Sequence, residues 1–133
     1  MNALHPSSLS LVLLCLTACG GQTVTKSSAA DQTSPKALAE SIFAAARSGD
    51  FASLKGIAAA DSDGDAKKVA GVADAAAKEQ DSFREYFGPG KVDGEVTIEG
   101  EKASVPIKFG PGAQKSETLM MVKTNGSWFL QSF

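Results

Sequence analysis

The stretch VDGEVTIEGEKASV, residues 92–105, decides the fold, because apolar residues recur in it at every second position. Val92, Val96 and Ile98 alternate with acidic or hydroxyl residues, which is typical of a half-buried β-strand. Gly100-Glu101 fits a two-residue hairpin turn. This register joins apolar residues on one face and opposite charges on the other: Val96 with Val105, Glu99 with Lys102, and Asp93 with Lys108.

A second hairpin follows towards the end of the chain. The Gly110-Pro111-Gly112 loop leads to an apolar strand over Glu117–Lys123. Asn125-Gly126 is a strong type I′ turn signal, and Trp128–Phe133 forms the last strand. Together the two hairpins predict a four-stranded antiparallel meander.

The residues before the meander follow a helical period. Ser34 can cap a first helix that starts at Pro35 and ends at Gly49. Asp50 is placed to cap a short second helix. A longer amphipathic pattern over Val69–Phe87 predicts a further helix, which Gly88-Pro89-Gly90 ends. The predicted class is therefore α+β, with helices packed on a sheet in one domain, residues 35–133.

The start of the chain indicates export. The apolar run Leu11–Leu16 is too short to cross a bilayer, which needs roughly 20 apolar residues, but it suits a signal peptide. Leu16-Thr17-Ala18-Cys19 resembles the lipobox of bacterial lipoproteins, although no Lys or Arg precedes it. The resemblance implies a signal peptide over 1–18 and a lipid on Cys19. Residues 19–34, rich in Gly, Ser, Thr, Gln and Ala, then form a flexible tether.

This processing has consequences for location and chemistry. The residue after Cys19 is Gly20, not Asp, so in a Gram-negative cell we expect the outer membrane, facing the periplasm. Cleavage removes His5, the only histidine, and lipidation uses the only remaining thiol, which excludes histidine triads and histidine or cysteine metal sites. The 13 basic and 15 acidic residues do not cluster, so we expect no nucleic-acid partner.

The order of elements, helices followed by a meander, resembles the small nuclear transport factor 2-like (cystatin-like) domains of bacterial lipoproteins. The resemblance is carried by the helix junction Ala44–Phe51, with its Gly-Asp, and by the last hairpin with its Trp-led strand. It implies a curved four-stranded sheet wrapped on helices, often with a cavity between them. Such a fold hosts enzymes, binders and dimer modules alike.

Two groups of residues invite a chemical interpretation. Asp61, Asp63 and Asp65 match the first ligands of a calcium loop, but Ala66 and Val72 stand where that loop requires Gly and Glu. We therefore interpret the segment as a solvated turn in which Asp65 caps the next helix, and we expect neither a metal nor a cofactor.

Tyr86 is the only tyrosine. Enzymes that resemble ketosteroid isomerase on this fold combine a pocket carboxylate with a Tyr or protonated Asp as oxyanion donor. Asp81 and Glu85 lie one turn apart but fit the polar face of the helix beside Arg84. No positioned acid–base pair emerges, so we expect a non-enzymatic protein.

The last hairpin is apolar on both faces, whereas a sheet covered on one side alternates apolar with polar residues. One predicted face holds Leu119, Met121, Trp128 and Leu130, and the other holds Met120, Val122, Phe129 and Phe133. The second face is either covered by the Phe109–Lys115 loop or forms a protein interface. A small apolar cavity is the other candidate surface, and we place it near Phe43, Tyr86, Phe87 and Trp128.

These observations favour a membrane-anchored, non-enzymatic binding or interaction module of the cell envelope. Its partner would be a second copy or an envelope protein, and an immunity or inhibitor lipoprotein is one version. The alternative is a small enzyme that uses a cavity carboxylate.

Overall fold

The computed structural model describes residues 29–133. The predicted signal peptide, Cys19 and the first part of the tether therefore lie outside the described residues. Helices and strands follow in the order α1 (Pro35–Ser48), α2 (Gly64–Ala70), α3 (Ala77–Phe87), β1 (Lys91–Val92), β2 (Thr97–Glu99), β3 (Lys102–Phe109), β4 (Lys115–Thr124) and β5 (Ser127–Ser132). Short 3₁₀ helices lie at Phe51–Leu54, Val72–Asp74 and Pro111–Ala113. The predicted α+β class is confirmed.

Helix α1 begins and ends as predicted. The Ser34 hydroxyl accepts a hydrogen bond from the backbone N–H of Ala37 at 3.1 Å, which satisfies a donor left free at the helix start. Pro35 occupies the first turn, and Gly49 ends the helix in the left-handed conformation with φ 79°. The Asp50 side chain makes no capping hydrogen bond, and the predicted second helix is a single 3₁₀ turn.

The long helix predicted over 69–87 is wrong in one respect, because the chain breaks it after Gly71. Ala75 and Ala76 are extended, with ψ 161° and 153°, and they separate α2 and the following 3₁₀ helix from α3. The side-chain amide of Gln80 donates to the carbonyls of Val72 and Ala73 at 3.1 and 3.2 Å, which satisfies acceptors at the break. Val69, Val72, Phe83 and Phe87 are buried, as a continuous helix would also place them, so their spacing alone did not reveal the break.

The residue that caps α2 also differs from the prediction. The carboxylate of Asp63 accepts from the N–H of Ala66 at 2.8 Å, whereas Asp65 lies inside the first turn and pairs with Lys68. The helix therefore begins at Gly64, two residues earlier than a cap at Asp65 requires.

The sheet has five strands instead of four, because the first predicted strand is divided. β1 and β2 both pair with β3, and the order β1-β3-β4-β5 completes an antiparallel sheet. Glu99 lies opposite Lys102 as predicted, and pairing extends back to Thr97, one residue short of the predicted pair of Val96 with Val105. The pairing of Asp93 with Lys108 is wrong, because Lys91 takes that place.

The two-residue shift between β1 and β2 is centred on Gly94. Its φ is 129°, and a Cβ there would lie 2.8 Å from Cγ of Pro106, so glycine fits both the conformation and the close approach. Because a shift by two residues keeps each side chain on its face, the alternation survives. The Asp93 carboxylate still lies 3.8 Å from the Lys108 ammonium.

The core lies between the helices and one face of the sheet. The inward residues of the central strands are almost fully buried: Ala103, Val105, Ile107, Leu119, Met121, Trp128 and Leu130. Six of the seven phenylalanines form a continuous cluster on the helix side: Phe43, Phe51, Phe83, Phe87, Phe109 and Phe133. Phe87 is its centre, since four other rings lie within 6.4 Å of it. Within residues 29–133, no helix has the length and apolarity needed to cross a membrane.

The two edges of the sheet differ in the backbone segments that cover them. Along β5, the segment 57–63 runs beside the strand: Leu130 donates to Ile57 at 2.7 Å and accepts from Ala59 at 2.8 Å. Trp128 donates to the carbonyl of Gln32 at 3.0 Å, so the entering chain covers the start of the same edge. β2 forms part of the opposite edge and pairs only with β3 among the described strands.

Candidate functional site

The structure does not bring the four residues of the predicted cavity together. Phe43 and Phe87 stack at 6.4 Å inside the core, and 1% and 7% of their surfaces are exposed. Trp128 lies opposite Lys123, at the hairpin end of β4. Tyr86 lies under the ammonium of Lys115, 4.8 Å from its ring centre. Since strands rise about 3.3 Å per residue, Lys115 and Lys123 are about 26 Å apart along β4. Tyr86 and Trp128 therefore belong to opposite ends of the domain.

Two of the four residues line a different concavity, which we call the aromatic groove. It lies between α3 and the segment formed by α2 and its following 3₁₀ helix, and its volume is about 900 Å³. Its apolar lining consists of Val69, Val72, Ala75, Phe83, Tyr86, Phe87 and Phe133. Tyr86 is 37% exposed, whereas Phe83 and Phe87 are buried and support the floor. Phe83 and Phe87 stack at 4.7 Å, so the floor is held by packed rings.

The placement of Phe133 corrects the predicted interface set. Met121 pairs with Leu130, but Met120 pairs with Ser132, so Gln131 is an extra residue in β5. A one-residue bulge reverses the alternation beyond it. Phe133 therefore packs on the helix side, edge-on to Phe87 at 5.8 Å, and contributes to the aromatic groove.

The other three residues of that set form a strip on the outer face of the sheet. Met120, Val122 and Phe129, which we call the outer strip, are half-buried, and Val122 lies directly opposite Phe129. Cover by the Phe109–Lys115 loop was one of the two alternatives, and Phe109 does not supply it, because its ring stacks on Phe87 at 5.4 Å, on the helix side. The helices also pack on that side, so the described elements leave the outer strip uncovered.

Charged side chains surround the aromatic groove, and some of them form ion pairs, whereas Lys78 and Glu79 form none among the described residues. Asp65 binds Lys68 at 2.8 Å, and Asp74 binds Lys55 at 3.2 Å, with every partner more than half exposed. The hydrogen bond from Lys68 to Asp65, followed by their charge attraction, raises the pKa of the Lys68 ammonium. These carboxylates are solvated and already neutralised by lysines, which makes the rim polar while the floor stays apolar.

The aspartates of the predicted turn are each used within the protein. Asp61 accepts from the Gln131 amide at 3.1 Å, Asp63 caps α2, and Asp65 pairs with Lys68. Across residues 29–133, no group of three or more His, Cys, Asp or Glu side chains is arranged to hold a metal ion.

Sequence reasoning missed the aromatic groove because two irregularities create it. The break after Gly71 separates α2 from α3, and the bulge at Gln131 turns Phe133 inwards. Gly71, a glycine inside a helical pattern, was the one local signal in the sequence for the helix break. Comparison with protein-family models, with curated proteins and with solved structures finds no significant match. The likeness to nuclear transport factor 2-like domains therefore stays a prediction.

Proposed function

We propose that this protein is a non-enzymatic binding module, held on the cell envelope by a lipid on Cys19. The aromatic groove is the observation that carries this proposal. Its volume of about 900 Å³ falls within the usual range of ligand sites, roughly 300–1,000 Å³. Its floor is made of packed rings and aliphatic side chains, and its rim of charged side chains, including two lysine–carboxylate pairs. In such a site the burial of apolar surface provides the binding energy, and the polar groups of the rim orient the ligand.

The same rim favours binding over the alternative of a small enzyme with a cavity carboxylate. A general acid or base is tuned by burial or by an unbalanced neighbouring charge. The three carboxylates of the lining are instead exposed, which is the ordinary condition of surface carboxylates. Asp65 and Asp74 pair with lysines, and Glu79 forms no ion pair among the described residues.

The entry of the chain supports a particular orientation of the anchored domain. Gln32 is bound to Trp128 by two hydrogen bonds, one from each residue, at 2.8 and 3.0 Å. The tether therefore joins the domain at the Trp128 end of the sheet, about 26 Å from the Tyr86 end of the aromatic groove. An anchor at Cys19 would leave that end of the groove directed away from the attachment point.

The groove is tested by filling it. Ser82 is an exposed residue of its lining, so Ser82→Trp blocks the groove without removing a core side chain. Asp81→Trp on the same helix, outside the lining, is the matched control. We expect isothermal titration with 1-anilinonaphthalene-8-sulfonate to give one site in the parent and in Asp81→Trp, and none in Ser82→Trp. Equal binding by all three proteins would refute the groove.

The anchor is tested separately. Globomycin should leave an unprocessed precursor, and Cys19→Ser should abolish membrane attachment of the mature protein. Normal processing in the presence of globomycin and unchanged fractionation of Cys19→Ser would contradict the anchor.

The outer strip supports a second candidate function, self-association or contact with an envelope protein through the sheet. Its three apolar side chains lie next to one another and beyond the reach of the described helices. A homodimer through this face predicts twice the monomer mass in sedimentation equilibrium. Phe129→Ser should restore the monomer, whereas Thr124→Ser, on the same face, should not. A monomer in both the parent and the variants would contradict self-association.

A further inference from the structure

The edge of the sheet at β2 has unused backbone hydrogen-bonding groups. Thr97–Glu99 pairs with β3 on one side, and no other described strand pairs with it. Glu99 and Lys102 flank the two-residue turn, so alternate residues direct their N–H and C=O away from β3. Ile98 is such a residue. Its backbone polar groups lie on the open edge, where another extended chain can bind them.

The side chain of Ile98 is unusual for its position. It is 55% exposed, the most exposed large apolar side chain of the described residues, although it lies opposite the buried Ala103. A hollow of about 450 Å³ adjoins it, between the start of α1 and the chain before β2. The hollow is lined by Ser34, Pro35, Lys36, Gly94, Glu95, Val96 and Ile98. An apolar side chain from an added strand would fit beside Ile98, Val96 and Pro35.

The charges at this edge select among occupants. Glu95 precedes Ile98, Glu99 follows it directly, and Glu101 lies in the turn. These three glutamates are exposed, and none forms an ion pair within residues 29–133. Glu95, Thr97 and Glu99 alternate with Val96 and Ile98, so one side of the edge is acidic and the other apolar.

A second copy of the chain is a poor occupant. Antiparallel residues that lie opposite each other share a face. If this edge paired with itself about Thr97, Glu95 would lie opposite Glu99 twice, and if it paired about Ile98, Glu95 would lie opposite Glu101 twice. Like charges directly opposite one another destabilise a strand pair. A strand with basic residues on that face meets opposite charges instead.

We propose that the β2 edge binds an extended basic peptide segment by strand addition. Lysine or arginine residues at alternate positions of the peptide face Glu95 and Glu99, and an aliphatic residue between them enters the hollow beside Ile98. The backbone of Ile98 supplies the main-chain hydrogen bonds, as in other strand-addition complexes. This surface is separate from the aromatic groove. A negative result for peptide binding at the β2 edge would therefore not contradict the proposed function of the groove.

The test uses the whole purified protein and the labelled peptide acetyl-Lys-Val-Lys-Ile-Lys-amide, followed by fluorescence anisotropy. We expect saturable binding that weakens with salt. Glu95→Gln combined with Glu99→Gln should reduce affinity about two- to thirtyfold, since each of the two cross-strand charge pairs contributes roughly 0.2–1 kcal/mol. Ile98→Lys should abolish binding. Because Ile98 is exposed, this variant should unfold at the same urea concentration as the parent.

Two further probes separate the outcomes. A peptide N-methylated at Val and Ile loses the two main-chain N–H groups that would face Ile98, and acetyl-Glu-Val-Glu-Ile-Glu-amide reverses the charge of the peptide. We expect neither to bind, and Ser82→Trp, in the aromatic groove, to leave binding of the basic peptide unchanged. If the methylated peptide bound as tightly as the basic peptide, charge attraction alone would explain binding. If the acidic peptide bound as tightly, the glutamates would not select the occupant. Self-association that Ile98→Lys abolishes would identify a second copy as the occupant. Each of these results overturns the proposal.

Discussion

Replacing Gly90 with alanine should destabilise the domain, although its φ is not positive. A Cβ at this position would lie 2.4 and 2.5 Å from two ring carbons of Phe43 and 2.9 Å from the carbonyl oxygen of Phe87. Ordinary carbon contacts are about 3.5–4.0 Å, so the Phe43 ring must move by about 1 Å. The ring is 1% exposed and stacks on Phe87, which leaves it no free space. Overpacking of this kind costs typically about 1–3 kcal/mol.

Gly64 provides the matched control, because the same substitution there should have the opposite sign. Gly64 is the first residue of α2, its φ is not positive, and no atom lies within 4 Å of the added Cβ. Gly64→Ala should therefore stabilise the protein by about 0.4–1 kcal/mol through the lower entropy of the unfolded chain.

The assay is urea unfolding of the purified protein, followed by circular dichroism at 222 nm. The midpoint should fall for Gly90→Ala and rise for Gly64→Ala, with unchanged slopes, because the surface exposed on unfolding stays the same. For a domain of this size, a change of 1 kcal/mol moves the thermal midpoint by about 4–8 °C, so both shifts are measurable. If Gly90→Ala were as stable as Gly64→Ala, the close packing of residue 90 on Phe43 would be refuted.

Three further predictions concern single side chains. Asp63→Ala removes the helix cap and should lower the unfolding free energy by about 1 kcal/mol. Asp65→Ala should change the unfolding free energy by only about 0.5 kcal/mol or less, since the ion pair of Asp65 with Lys68 is exposed. Equal urea midpoints for the two variants would contradict the assignment of the cap. The hydroxyl of Ser62 is buried without a hydrogen-bond partner among the described residues, so Ser62→Ala should raise stability by about 1 kcal/mol, and a lower midpoint would disprove this. The hydroxyl and N–H of Thr33 bind the Asp31 carboxylate at 2.6 and 2.9 Å and lower its pKa. The stability that this carboxylate contributes is present above the ordinary aspartate pKa and is lost as the pH falls through the lowered value. The difference in urea midpoint between the parent and Asp31→Asn should therefore narrow as the pH falls from about 5 to 2. A difference that stays constant over this range would contradict the lowered pKa of Asp31.

The anchored binding module that we propose combines a fixed point of attachment with a surface at a distance from it. Gln32 ties the entering chain to Trp128, and the exposed ring of Tyr86 lies at the other end of the sheet. The chain that enters the domain therefore lies away from the Tyr86 end of the aromatic groove.

The sequence by itself determined the local structure of this protein. Ser34 and Gly49 set the ends of α1, and the Asn125-Gly126 turn forms as predicted, with φ 50° and 82°. The inward face of the last hairpin, including Leu119 and Met121, also followed from alternation. These features depend on residues close together in the chain, whose backbone preferences and spacing are visible in the sequence.

Tertiary structure alone decided the aromatic groove and the open edge of the sheet, whereas the outer strip followed from the alternation in the sequence. The break after Gly71, the bulge at Gln131 and the two-residue shift at Gly94 each change the pairing or direction of a segment without breaking its apolar pattern. Their consequences are the aromatic groove, the inward position of Phe133 and the open edge at Ile98. Each irregularity is selected by how distant segments pack against one another, an energy that no short stretch of sequence contains.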